Sequence, residues 1–275
     1  MPETTTPESA DGSANASADA SVDASVDASV LTEVRGRVLV ITLNRPDQMN
    51  AINTALSQGL LAAVEQLDTD PTLTVGVLTG AGRGFCAGMD LKAFATQGPP
   101  IGMDTFIRNG SKKPLIAAIE GFALAGGLEL ALACDLLVAA AGVKIGIPEV
   151  GVGLFAAGGG LLRLPRVLPY GVAMELALTA DPITAEQAHA YGLVARVAEK
   201  GGALDAAIAL AERIAKNAPL GVAASKQLVR ASLDHTEESF WAFQAAFIGK
   251  VFTSNDAKEG PAAFAQKRQP NWSGD

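Results

Sequence analysis

The apolar positions change period several times along the chain. Residues 37–43 read Arg-Val-Leu-Val-Ile-Thr-Leu and stop at Asn44-Arg45-Pro46. That β-branched run closed by turn residues predicts a strand followed by a turn. Leu56, Leu60, Val64 and Leu67 then recur at spacings of 4, 4 and 3, one face of a helix. Further strands are expected at residues 73–79, 115–119 and 136–139, with helices between them. Strands alternating with helices imply a parallel sheet covered by helices, hence an α/β fold. After Pro182 the strand texture stops. Residues 183–190, 204–217, 220–233, 236–250 and 254–267 are rich in Ala, Leu, Glu and Lys and read as helices.

The first 32 residues stand apart. Ser, Ala, Asp and Thr dominate them, no aromatic residue occurs, and a four-residue Ser-Ala/Val-Asp-Ala unit repeats over residues 17–28. Such a segment cannot bury enough apolar surface to offset its ordering entropy, so residues 1–32 are expected to be a disordered acidic tail. Six of the 29 acids lie there without a single Lys or Arg, so most of the net charge of −8 belongs to the tail. The nearly neutral body argues against nucleic acid as a partner. The two cysteines, Cys86 and Cys134, make no disulfide framework and no CxxC, and the chain has two histidines. That pattern argues against a structural metal site and for a reducing, cytoplasmic setting. No apolar run of 18 residues suggests a membrane span.

Glycine meets acid or small residues in three places. Gly80-Ala-Gly82-Arg-Gly84 follows a predicted strand, but its GxGxG spacing lacks the GxGxxG order and the distant acid of a dinucleotide site. The continuation Phe85-Cys86-Ala87-Gly88-Met89-Asp90-Leu91 is more informative. A glycine among small residues lets a ligand approach the main chain, and a helix starting near Asp90 would leave N–H groups free to meet an anion. Gly126-Gly127 opens a second, apolar helix, with Glu129 in its first turn between Leu128 and Leu130. Glu149 follows Pro148 and precedes the glycine-spaced stretch Val150-Gly-Val-Gly153. A carboxyl among apolar neighbours is desolvated, which raises its pKa toward the range useful to a general acid or base. Two such carboxyls beside two loops of free N–H groups could stabilise an oxyanion and move protons.

These residues resemble the crotonase family, the enoyl-CoA hydratases and isomerases. The likeness runs through Leu43-Asn-Arg-Pro46 with Asn50-Ala51, Leu78 to Leu91, Gly121 to Asp135, and Asp256 to Gly260 with Phe264 to Arg268, in order over residues 33–273. It implies a spiral of ββα turns forming two stacked sheets over residues 33–200, then a helical trimerisation region over 201–275. It implies an oxyanion hole from the Met89 and Gly126 N–H groups and a catalytic pair, Glu129 and Glu149. Ala87, Gly88, Asp90 and Leu91 match the stretch lining coenzyme A. Phe264 and Lys267 match C-terminal residues that meet its nucleotide end, from a neighbouring subunit in some members. Two departures concern volume rather than charge: Ala125 stands where the family often has glycine, and residues 156–160 read Ala-Ala-Gly-Gly-Gly.

The activity so implied is a hydro-lyase reaction: syn addition of water to a trans-2-enoyl-CoA, as in fatty acid β-oxidation. The thioester serves as electron sink, so neither metal nor bound cofactor is expected, and coenzyme A enters as part of the substrate. A homotrimer or a dimer of trimers is the assembly the resemblance implies. A Δ3-Δ2 enoyl-CoA isomerase would need only one of the two acids. A non-catalytic acyl-CoA binder would have no use for either, and this chain keeps both.

Overall fold

The computed structural model describes residues 28–275, so the expected disorder of residues 1–27 lies outside the described residues. The α/β reading holds, with strands and helices alternating first and helices alone last. A six-stranded sheet has the order β1 (Val30–Arg35), β2 (Val38–Leu43), β3 (Val75–Gly80), β4 (Leu115–Ile119), β6 (Leu136–Ala140), β9 (Arg196–Ala198). All neighbours from β2 onward are parallel, and β1 folds back antiparallel on β2 with Val30 opposite Leu43. A smaller sheet has the order β5 (Phe122–Leu124), β7 (Lys144–Gly146), β8 (Ile183–Thr184).

The helices are α1 (Thr54–Thr69), α2 (Leu91–Gln97), α3 (Met103–Asn109), α4 (Gly126–Ala133), α5 (Gly160–Val167), α6 (Tyr170–Thr179) and α7 (Ala185–Ala190). After β9 come α8 (Ala203–Ala215), α9 (Pro219–Ala231), α10 (Glu237–Phe252) and α11 (Asn255–Ala265). Two windings pass in turn through the large sheet, the small sheet and a helix: β4, β5 and α4, then β6, β7 and α5. No helix among the described residues is long and apolar enough to cross a membrane.

Alternation along the strands decides which core each residue joins. Val38, Val40, Val75, Val77, Ile116, Ala118 and Val138 point to one face of the large sheet, where Ala207, Ile208 and Ala211 of α8 cover them. Leu39, Ile41, Leu43, Leu78, Ala117 and Ile119 point to the other, into the larger core beneath α1 and α4. Strands buried on both faces read as continuous apolar runs, which is why β2 and β4 stand out in the sequence.

Two expectations change. Strand pairing begins at Val30, inside the stretch assigned to the tail, because Val30 and Leu31 find ladder partners on β2 and Val30 packs against α1 at Gly59. Strands also continue past Pro182. β8 and β9 have two and three residues, too short to show a period, and each exists by pairing with a strand already in place.

Candidate active site

The loop 81–90 leaves the end of β3 and is held against residues 49–52. The Ala87 N–H donates to Met49 O (3.1 Å), Ile52 N–H to Gly88 O (2.8 Å) and Asp90 N–H to Ile52 O (2.9 Å). Gly88 has φ +104°, a conformation L side chains rarely adopt. A Cβ there would also stand 2.7 Å from the Ala125 methyl carbon and 3.2 Å from Gly126 N. This close approach brings the two expected oxyanion donors together: a Cβ built on Gly126 would lie 3.7 Å from Met89 N. Neither Met89 N–H nor Gly126 N–H donates a hydrogen bond among the described residues. Gly126 is the first residue of α4, so its N–H is one of the orphan donors at the positive end of the helix dipole. Ala125, before it, has φ +51° and ψ −131°, a glycine-like conformation held by an alanine.

One turn into α4, Glu129 is 4% exposed. Its Oε1 accepts the Gly160 N–H at 2.9 Å, and the Gly158 N–H lies close enough to draw the carboxyl pKa down. Burial raises its pKa above the ordinary 4.5, against the pull of these two N–H groups and of the Arg163 cation. Glu149 sits in a 3-10 turn, Pro148–Val152, started by the proline. Its Oε2 is buried without a hydrogen-bond partner in the protein. Burial raises its pKa as well, and the Glu129 charge raises it further, so the two carboxyls sense each other. An unpartnered buried acceptor beside a second carboxyl is a place for a proton-bearing ligand.

The polar groups of Asp90 are engaged within the chain. Its side chain caps α2 through Ala93 N–H (3.1 Å) and pairs with Arg45 Nη2 (2.9 Å), while its N–H is taken by Ile52. The free N–H is therefore that of Met89, one residue before the helix cap. Ala87 is half-buried on the same loop, and Leu91, 53% exposed, opens α2. Phe264 and Lys267 lie on α11 and just beyond its end, on the helical arm, and α11 packs on α10. Phe264 is 87% exposed, and neither residue bonds to the glutamate site.

Four residues escaped the sequence reading as contributors to the site. Gly158 and Gly160 hold Glu129, and the only signal was a run of three glycines. Arg163 reaches the same region from α5, with Nη2 donating to Ile107 O. Asn50 is fully buried behind the loop 81–90 and appeared only as part of a motif.

A family model described as enoyl-CoA hydratase/isomerase matches residues 33–275. The chain is 42% identical over 257 residues to the enoyl-CoA hydratase EchA19 of Mycobacterium tuberculosis, covering 88% of this chain and 95% of that one. It is 40% identical over 254 residues to an (E)-benzylidenesuccinyl-CoA hydratase of Thauera aromatica, covering 88% and 98%. A crystal structure of an enoyl-CoA hydratase from Mycobacterium tuberculosis H37Rv superposes with a TM-score of 0.86 at 55% identity, over 90% of this chain and 100% of the other.

Proposed function

The chain belongs to the enoyl-CoA hydratase/isomerase family, and on that premise we propose that it hydrates trans-2-enoyl-CoA thioesters through Glu129, Glu149 and the N–H groups of Met89 and Gly126. Its fold is the crotonase fold of the hydratases it superposes on. The observation that carries the site assignment is the convergence of two unused N–H groups beside two carboxyls of raised pKa, one buried and one half-buried.

The thioester oxygen accepts from Met89 N–H and Gly126 N–H. Negative charge grows there as oxygen adds to Cβ, so fixed donors favour the transition state over the ground state. One water lies between the carboxyls. Glu129, held by Gly158 and Gly160, takes a proton as the water oxygen attacks Cβ. Glu149, protonated at the start, delivers its proton to Cα on the same face, and the 3-hydroxyacyl-CoA results. The proton that Glu129 took from water then returns to Glu149 for the next turnover. The thioester itself is the electron sink, so the chemistry calls for no prosthetic group.

Phe264 and Lys267, exposed on the helical arm, suit the nucleotide end of coenzyme A when presented by a neighbouring subunit. A homotrimer, or two trimers paired, provides that neighbour. The two free, buried cysteines suit the cytoplasm. The test is loss of the conjugated-thioester absorbance over a panel of straight, branched and aryl 2-enoyl-CoAs, with the product identified by mass. Hydration of at least one is expected. Binding without turnover across the whole panel would leave an acyl-CoA-binding protein instead.

A further inference from the structure

Asn50 is a polar residue with no exposed surface, at φ +56°, in the segment that backs the loop 81–90. Its Nδ2 donates to three carbonyls of that loop: Ala81 O (2.9 Å), Gly84 O (3.0 Å) and Phe85 O (3.1 Å). Its Oδ1 accepts the Arg45 N–H at 2.9 Å, which fixes the amide orientation. Its main-chain carbonyl accepts from Cys86 Sγ at 3.1 Å. Gly80 packs so closely on this knot that a Cβ would fall 2.3 Å from Phe85 O and 2.8 Å from Asn50 Nδ2. Beyond Asn50 the contact continues as a parallel bridge between Ile52 and Met89.

Three converging carbonyls, those of Gly84 and Phe85 buried and that of Ala81 half-buried, repel one another and are costly to leave unpaired. One carboxamide satisfies all three, sharing two protons among them. The turn it closes ends four residues before Met89, and the bridge at Ile52 sets the peptide on either side of Met89. The direction of the Met89 N–H is thus the free end of a clamp whose fixed end is Asn50.

We propose that Asn50 is a positioning residue for catalysis: its side-chain amide gathers the Ala81, Gly84 and Phe85 carbonyls and thereby aims the Met89 N–H at the thioester oxygen. The idea rests on the oxyanion role of Met89 argued above. It deepens that reading by making the precision of the hole depend on a residue that touches no substrate.

The test uses the full chain with Asn50→Asp and Asn50→Gly. Both replacements tolerate a positive φ, and glycine avoids burying a new charge should the aspartate variant fail to fold. Hydrogen exchange by mass spectrometry reads the clamp without substrate. Exchange should rise in residues 81–90 and stay unchanged in α8 and β4. Kinetics read its consequence. Loss of one oxyanion donor costs about 10²–10³-fold in kcat, and kcat should fall by about 10²-fold with KM within about threefold. A bound aryl-conjugated enoyl-CoA reads the hole directly: the red shift of its absorbance in the wild type should shrink in the variants. Unchanged exchange in 81–90, or a full red shift with kcat within threefold of wild type, overturns the proposal. Exchange rising throughout the core together with a general loss of activity overturns it too, since that marks a merely structural role. A wild type that neither hydrates nor red-shifts the probe would remove the hydratase reading, while the exchange result still reports on the clamp.

Discussion

At the scale of single residues, the site is an arrangement of costs. Glu129 is carried into the interior and Glu149 is half-buried with its Oε2 enclosed, and burial raises both pKa values above 4.5. General acid–base catalysis typically contributes about 10²–10⁴-fold, so Glu129→Gln and Glu149→Gln should each lower kcat by that order with KM little altered. If both act on one water, the double variant should lose far less than the product of the single losses. Near-wild-type kcat in either single variant would remove that residue from the mechanism. The same burial makes a stability prediction of fixed sign. A carboxyl whose folded pKa is raised favours folding in its protonated form; that contribution is complete below about pH 4.5 and disappears as pH rises through the raised value. At neutral pH wild-type Glu149 is therefore a liability to the fold. Glu149→Gln should melt higher than wild type at pH 7–8, and the gap should close as pH falls toward 4.5. An equal or lower Tm at neutral pH would show that the Glu149 charge is better satisfied than its unpartnered Oε2 implies.

The element that ties the two acids together is the segment from the 3-10 turn Pro148–Val152 to the start of α5. Glu149 lies in its first turn, and Gly158 and Gly160 at its other end hold Glu129. There is no room there for a side chain: a Cβ on Gly158 would fall 2.5 Å from Glu129 Oε2 and 2.9 Å from Ile107 Cδ1. Gly158→Ala should push the carboxyl off its N–H donors. We expect kcat to fall at least tenfold while product affinity holds, and unchanged kcat would show that the strap yields freely. Elements of this kind separate what the sequence discloses from what it hides. Long strands buried on both faces, such as β2 and β4, announced themselves as apolar runs, and α1 by its 3.6 period. The acids were visible because charge among apolar neighbours is conspicuous. The short strands β5, β7, β8 and β9 were not, since two or three residues carry no period and their pairing comes from neighbours remote in sequence. Gly158, Asn50 and Arg163 stayed hidden for a related reason. Each matters through contacts with residues 29 to 56 positions away, which no local pattern encodes. The spiral itself came from resemblance; periodicity alone reached only α/β followed by helices.

At the scale of the whole molecule, the C-terminal arm is unfinished within one chain. α10 has sixteen residues, including Phe240, Trp241, Phe243, Phe247 and Phe252, yet none of its residues is fully buried. His235 stacks on Phe243 at 5.0 Å and Phe243 meets Phe247 at 5.2 Å, so part of this face is covered locally. Trp241 (58%), Phe252 (75%), Val229 on α9 (70%) and Leu233 just past its end (65%) remain exposed. Large apolar side chains left exposed along an arm suit an interaction face, and a further copy of the chain would cover them in a trimer. Light scattering at micromolar concentration should give three chains or a multiple of three. Trp241→Glu with Phe252→Glu places two charges on that face and should lower the mass toward one chain. The kinetic consequence tests the shared site separately from the assembly. A dissociated variant keeps its own Glu129, Glu149, Met89 and Gly126, but loses Phe264 and Lys267 of its neighbour. Contacts to the nucleotide end bind ground state and transition state alike, so their loss should raise KM with kcat at saturation largely kept. Lys267→Ala in the intact assembly should show the same pattern, more weakly and more so at low salt, because an exposed Lys–phosphate contact is screened. A monomeric wild type would refute the assembly. A dissociated variant with unchanged KM would instead confine the whole substrate site to one chain.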